Sequence, residues 1–191
     1  MEAGIHAFPV GLVSYYHGFC CAAKTKKYKE LVGHLHKLAS TVTPDMPYTS
    51  IQLNYDYASK MHVDSNNHGP SMIIGLGDYD GGELWVYDAD GDVFMEVTER
   101  MRGYRASVGD MLPGKIVDIK NRPFIFDGNL PHQTMPYEGE RYSLVYFTIN
   151  KWLSAPPNVV EQLKECGFTM PAPEFLLKLS LIHISEPTRP Y

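Results

Sequence analysis

The chain reads as a mainly β domain, a sandwich or jelly roll braced by a helix on either side, and three observations lead there. From Ser50 to Ile149, short β-branched and aromatic runs alternate with Gly, Pro, Asn and Asp at close intervals, as in an antiparallel all-β core. Ahead of this region, Ala22 to Ala39 carries Tyr28, Leu31, Leu35 and Leu38 at offsets of three and four with lysines opposite, which predicts an amphipathic helix. Behind it, Pro157 to Gly167 predicts a short helix with proline near its start and glycine at its end. A chain of 191 residues, 44% hydrophobic and 12% aromatic, can bury one sizeable core. The expected organisation is an N-terminal segment with its supporting helix over 1–49, a β core over 50–150, a C-terminal helix and loop over 151–178, and a tail over 179–191.

The elements follow in order. Phe8 to Ala23 is apolar, but it lacks a basic leader and is broken by Pro9, Gly11, His17 and Gly18, so it does not read as a signal peptide. Thr43-Pro44 and Met46-Pro47 stop the helix. Ile51–Tyr55 is a strand. Ser71–Gly77 and Leu84–Tyr87 read as two strands of a hairpin, because Gly81-Gly82 between them supplies the positive backbone dihedrals of a tight reversal. Ala89–Asp92 reads as another hairpin tip. Asp88, Asp90, Asp92 and Glu99 copy the spacing of a calcium loop, but Val93 stands where the sharp turn needs glycine. His34 and His36, two apart on a helix, share no face and are expected in solvent, and His68 falls in a loop.

Composition limits the function classes. No stretch reaches the ~18 apolar residues of a membrane span, so no membrane association is expected. Three cysteines, two of them the adjacent Cys20-Cys21, make no disulfide framework; the expectation is an intracellular protein, cytoplasmic or nuclear. A net charge of −5 does not favour nucleic acid as a partner. Two local basic runs, Lys24, Lys26, Lys27 and Lys29, then Arg100, Arg102 and Arg105, read as solvated surface, or in the sharper alternative as a phosphate-binding rim.

The chemistry concentrates in His62-Val63-Asp64, a later His132, and Arg141-Tyr142-Ser143. Two imidazoles and a carboxylate are the ligand set of the 2-His-1-carboxylate facial triad, which leaves positions open on a non-haem Fe(II). Side chains two apart on a strand leave the same face, so His62 and Asp64 are expected to converge. His132 arrives after the apolar run Phe124–Phe126 and the turn Asp127-Gly128-Asn129, at a strand junction. Arg141 and Ser143 are again two apart, opening the strand run Leu144–Ile149, and are expected to face one cavity; a guanidinium matches a carboxylate through paired, charge-assisted hydrogen bonds.

On these residues the chain, from about Ser50 to Ile149, resembles the Fe(II)/2-oxoglutarate-dependent oxygenases, and the Gly81-Gly82-Glu83-Leu84 turn is similar to that of prolyl-hydroxylase-like members. The resemblance implies a double-stranded β-helix, with His62, Asp64 and His132 on Fe(II), Arg141 helped by Ser143 on the 5-carboxylate of 2-oxoglutarate, and further polar contacts to this co-substrate from Asn54 and from Tyr55 or Tyr57. It implies a dioxygenase that hydroxylates its substrate with release of succinate and CO2, with ascorbate as a candidate reductant. Asp127 or Gln133 would support the ligands. Protein side chains, nucleobases and small molecules stay open as substrates. Two other classes stay open: a zinc-dependent hydrolase on the same ligands, and a non-catalytic jelly-roll binding module. Leu179–Arg189 resembles a translated sequencing adapter, so the tail reads as non-native and His183 is not counted as a ligand.

Overall fold

The structure, a computed structural model, describes residues 6–172. The tail over 179–191, with His183, lies outside the described residues.

Two antiparallel sheets face each other. The larger has six strands in the order β2-β1-β3-β11-β4-β9, formed by β1 (His6–Tyr15), β2 (Gly18–Cys21), β3 (Ser50–Tyr55), β4 (Ser71–Gly81), β9 (Phe124–Phe126) and β11 (Tyr137–Phe147). The smaller has the order β10-β5-β8, from β5 (Leu84–Tyr87), β8 (Gly114–Val117) and β10 (His132–Thr134). A two-stranded ribbon, β6 (Met95–Glu96) with β7 (Met111–Leu112), stands beside them.

Strand periodicity divides the core into two layers. Val10, Leu12, Ile51, Met72, Ile74, Leu144 and Tyr146 point from the larger sheet to the helices, where they meet Val32, Leu35 and Ala39 of α2 (Lys29–Val42) and Val159 and Leu163 of α3 (Pro157–Glu165). From the other face Ile73, Phe126 and Val145 meet Leu84, Val86 and Val117 of the smaller sheet, closing the sandwich. Covered on both sides, β4 is buried from Ser71 to Gly75 without alternation. The result is a mainly β jelly roll braced by helices, as the sequence predicts.

Three local expectations change. Among the described residues β-structure is present from His6, well ahead of Ser50: the His6–Gly11 half of β1 pairs with β3, and the Leu12–Tyr15 half with β2. Pro9 lies in the half with no second partner among the described residues, where a missing N–H is tolerated. The N-terminal helix is two pieces, α1 (Ala23–Lys27) and α2, because Tyr28 leaves helical geometry at φ −121° with its ring against Phe8. The break resets the buried face to Val32, Leu35 and Ala39, and Leu31 is 36% exposed. Gly81 and Gly82 do adopt φ of 75° and 70°, but they make no hairpin: β4 pairs with β11 and β9, while β5 pairs with β10 and β8. The turn carries the chain from one sheet to the other. In the same way Ala89–Asp92 is a turn in which Asp88 Oδ1 accepts from the Asp90 amide, not the tip of a paired hairpin, and Asp88 is held by Lys115 at 2.9 Å.

Candidate metal centre

His62 and His132 lie side by side because their backbones exchange two hydrogen bonds, His62 N to His132 O at 3.1 Å and His132 N to His62 O at 3.0 Å. This is an isolated bridge, not the strand the sequence predicts for His62 and Asp64. Asp64 follows in a loop fixed by its own amide, which donates to Gly128 O at 2.6 Å. Local turn chemistry sets the third candidate ligand, His132. Asp127 Oδ1 accepts from the Asn129 amide at 2.9 Å and Asp127 O from the Leu130 amide at 3.1 Å, so β10 starts at His132.

Both imidazoles are oriented by the same device. Nδ1 of His62 is 2.8 Å from Lys60 O, and Nδ1 of His132 is 2.9 Å from Leu130 O, each a carbonyl two residues back. A carbonyl only accepts, so Nδ1 carries the hydrogen and Nε2 keeps its lone pair. Those Nε2 atoms face Asp64, at 3.6 Å from Oδ1 for His62 and 3.9 Å from Oδ2 for His132. These separations are too long for hydrogen bonds. They suit three donors around one ion, since bonds of roughly 2.1 Å place neighbouring ligands about 3 to 4 Å apart. Among the described residues this is the one group of three or more His, Cys, Asp or Glu whose ligand atoms cluster within 4.8 Å. His132 is 5% exposed, and its pKa is lowered by burial first and by the neighbouring His62 second, which favours the neutral, ligating form.

The support for the ligands differs from the expected one. Asp127 is spent on its own turn, and Gln133 lies on β10 opposite Trp85, one residue away from the metal-facing side. The supporting groups are the Lys60 and Leu130 carbonyls and Asn67, whose Nδ2 donates to Asp64 Oδ2 at 3.1 Å and lies 3.2 Å from Ser71 Oγ. Asn67 is three residues past Asp64 in a turn-forming stretch, a signal the sequence does carry.

The triad opens on a cavity of about 280 Å³ between the sheets. Ile73, Leu84, Phe126, Val145 and Phe147 form its apolar walls, and Gln52, Asn54, Tyr57, Ser59, Thr134 and Ser143 its polar ones. Asn54 Nδ2 donates to Ser143 Oγ at 3.3 Å across the paired strands β3 and β11. Tyr55 does not line this cavity: next to Asn54 on a strand it faces the other way, its ring tilted against Tyr142 at 4.7 Å with its hydroxyl donating to Glu140. Tyr57 lines the cavity instead.

Arg141 shares the inner face of β11 with Ser143 but stands behind the cavity lining rather than in it, 1% exposed. Its Nη2 donates to Gly82 O at 3.2 Å and its Nη1 approaches Tyr57 O at 3.5 Å. Tyr79 and Tyr137 flank the guanidinium at 5.5 and 5.3 Å. No carboxylate pairs with its side chain among the described residues. Burial presses its pKa down, opposed by the two tyrosines and by a hydrogen bond with Tyr79.

Outside the cavity, Tyr57 and His62 also line a wider groove of about 610 Å³ with Lys60, Met61, Ser65 and Glu99–Arg102. Met101 is buried beside Met61, Trp85 and Val97, so Arg100 and Arg102 stay outside on this groove. Two other histidines depart from expectation or lie apart. His36 is not solvated: its ring meets Tyr48 OH at 2.8 Å and Cys166 O at 3.2 Å. His68 lies away from the triad, in a small pocket with Trp152.

No family model matches the chain, and no curated protein matches its sequence. Its fold is similar to solved structures. They include NgTET1 in complex with 5mC DNA, at 16% identity over 83% of this chain and 69% of that one, TM-score 0.48. A 2OG-Fe(II) oxygenase family oxidoreductase from Burkholderia pseudomallei gives 19% over 75% and 66%, TM-score 0.44. The Escherichia coli ribosomal oxygenase YcfD gives 13% over 97% and 57%, TM-score 0.38.

Proposed function

We propose that the chain is an Fe(II)- and 2-oxoglutarate-dependent dioxygenase, with His62, Asp64 and His132 as metal ligands. One observation carries the reading: three converging donors open on a cavity backed by Arg141, a buried guanidinium with no acidic partner. When bound, Fe(II) with 2-oxoglutarate and O2 supplies the oxidising power, the co-substrate leaving as succinate and CO2 while one oxygen atom reaches a substrate C–H bond. The protein supplies the rest. Its two carbonyls keep both Nε2 lone pairs available, Asn67 holds the carboxylate, and Phe126, Val145 and Phe147 give the cavity an apolar wall. Arg141 meets the distal carboxylate, helped by Ser143 and Asn54. Substrate reaches the metal from the groove flanked by Arg100 and Arg102, the face on which His62 is accessible.

A zinc hydrolase on the same ligands is disfavoured because Asp64 is the one acidic residue lining the cavity, which leaves no separate general base. A binding module has no need of three convergent donors. The test is succinate release from 2-oxoglutarate with Fe(II), its absence with Zn(II), and its loss in His132→Ala. Hydrolysis sustained by Zn(II) without 2-oxoglutarate would reverse the conclusion.

A further inference from the structure

We propose that segment 99–105 is a phosphate-binding rim, and that the substrate of the metal site carries phosphate groups held by Arg100, Arg102 and Arg105; this names a substrate class for the dioxygenase reading above and rests on it. The segment belongs to the loop between β6 and β7, whose base is closed by two backbone hydrogen bonds, Val97 N to Asp110 O at 2.8 Å and Gly109 N to Val97 O at 2.9 Å. Its inward side chains belong to the core. Met101 is 5% exposed among Met61, Trp85 and Val97, and Tyr104 packs on the same cluster. Anchored by these two, the loop leaves Arg100, Arg102 and Arg105 exposed. Gly103, at φ 95°, brings it against the stretch that carries His62 and Asp64: a Cβ there would lie 3.0 Å from Ser65 Cβ. The three guanidiniums are thereby kept close to the triad instead of on a free arm.

The charge around the opening is one-sided. Two adjoining grooves, of about 610 and 650 Å³, share Arg100, Met101 and Arg102; the first has Tyr57 and His62 in its wall, and the second runs on to Tyr104 and Arg105. Glu99 is the one acidic residue in either lining, and Lys60 takes it in an ion pair. Among the described residues Arg100, Arg102 and Arg105 pair with no carboxylate, whereas the exposed cations Lys115 and Arg122 do, with Asp88 and Asp118. In a chain of net charge −5, the face from which the triad is reached is positive. Three unpaired guanidiniums along a path longer than one anion call for several negative charges in a row. Guanidinium meets phosphate through paired, charge-assisted hydrogen bonds, and each phosphate ester offers several acceptor oxygens with its charge. The co-substrate does not answer this demand, because its place is the inter-sheet cavity, which none of the three arginines lines. Phosphates seated on the rim leave the reacting carbon to enter past Tyr57 and His62, which line both groove and cavity.

The test reads fluorescence anisotropy of a labelled single-stranded oligonucleotide with the full chain, without metal or 2-oxoglutarate, over a range of salt concentrations. Three phosphate contacts, at ~0.7 each on a single strand, should give log affinity against log salt a slope of about −2. The double variant Arg100→Ala, Arg102→Ala should bind about tenfold more weakly or worse, with a slope of about −0.7. Lys26→Ala, Lys27→Ala removes the same charge from α1, which lines neither groove, and should stay within roughly twofold of the wild type. AMP and polyglutamate are the competitors. Displacement by AMP assigns a small phosphorylated substrate, and its failure beside a bound strand assigns a polynucleotide; either upholds the rim. Polyglutamate displacing the label as well as unlabelled strand does would overturn the phosphate assignment. Equal weakening in the two double variants would overturn the location, and absence of binding at low salt would overturn the proposal outright. The dioxygenase reading survives all three, and fails instead if binding holds while Fe(II) yields no succinate from 2-oxoglutarate.

Discussion

Gly128 has no side chain because Asp64 and Ser71 occupy the space one would fill: a Cβ there would lie 2.9 Å from Asp64 Oδ2 and 3.1 Å from Ser71 Oγ. The proposed ligand Asp64 is therefore held from two directions, its amide by the Gly128 carbonyl and its carboxylate by Asn67. Gly128→Ala should push the carboxylate toward the ion position, and Asn67→Ala should leave it free to rotate. Each is expected to weaken metal binding about tenfold to a hundredfold, the usual range for losing such support, read by Co(II) titration in the visible spectrum. Arg141→Ala should do the reverse. Its side chain touches none of the three ligands, so Co(II) affinity should hold while the 2-oxoglutarate KM rises steeply; a parallel loss of both would make Arg141 a structural residue.

At the scale of elements, α2 is joined to the rest by a pH-sensitive contact. His36 Nε2 lies 3.2 Å from Cys166 O, which only accepts, so Nδ1 is the atom that accepts from Tyr48 OH. The ring packs edge-on against Phe168 at 4.5 Å. Burial lowers the imidazole's pKa, opposed by the bond to Cys166. The unfolded chain then takes up the proton more readily, so this stabilisation is whole above the ordinary value of 6.5 and is lost as pH falls from there through the lowered folded value. The thermal midpoint should drop between pH 7.5 and 5.5, and His36→Gln should flatten that drop; an unchanged slope would refute the contact's role. The same helix shows what the sequence can and cannot disclose. Periodicity of three and four finds α2, but the buried stripe depends on the break at Tyr28, which comes from a tertiary contact with Phe8. Period two places Asn54 and Ser143 on the cavity face and correctly read would have excluded Tyr55, the neighbour of Asn54. What stayed hidden is non-local: that Gly81-Gly82 joins two sheets, that β1 enters beside β3, and that Tyr79 reaches back over Gly75.

For the whole molecule, the three proposed ligands come from two stretches, 62–64 and β10, that are far apart in sequence and are joined here by little more than the reciprocal His62–His132 bridge, the Asp64–Gly128 bond and the Ser59–Thr134 contacts. A bound ion would cross-link them. Binding the folded chain but not the unfolded one, metal at a hundred times its Kd should add about 2.7 kcal/mol, roughly 5–10 °C in Tm for a chain of this size. Chelation with EDTA should therefore lower the midpoint by that amount, and readdition of Mn(II) should restore it in a concentration-dependent way. In His132→Ala the increment should vanish, whereas Arg141→Ala, remote from the ligands, should keep it. A midpoint indifferent to EDTA and Mn(II) would mean that the two stretches are held without an ion, and that the convergence of His62, Asp64 and His132 serves the fold rather than a metal.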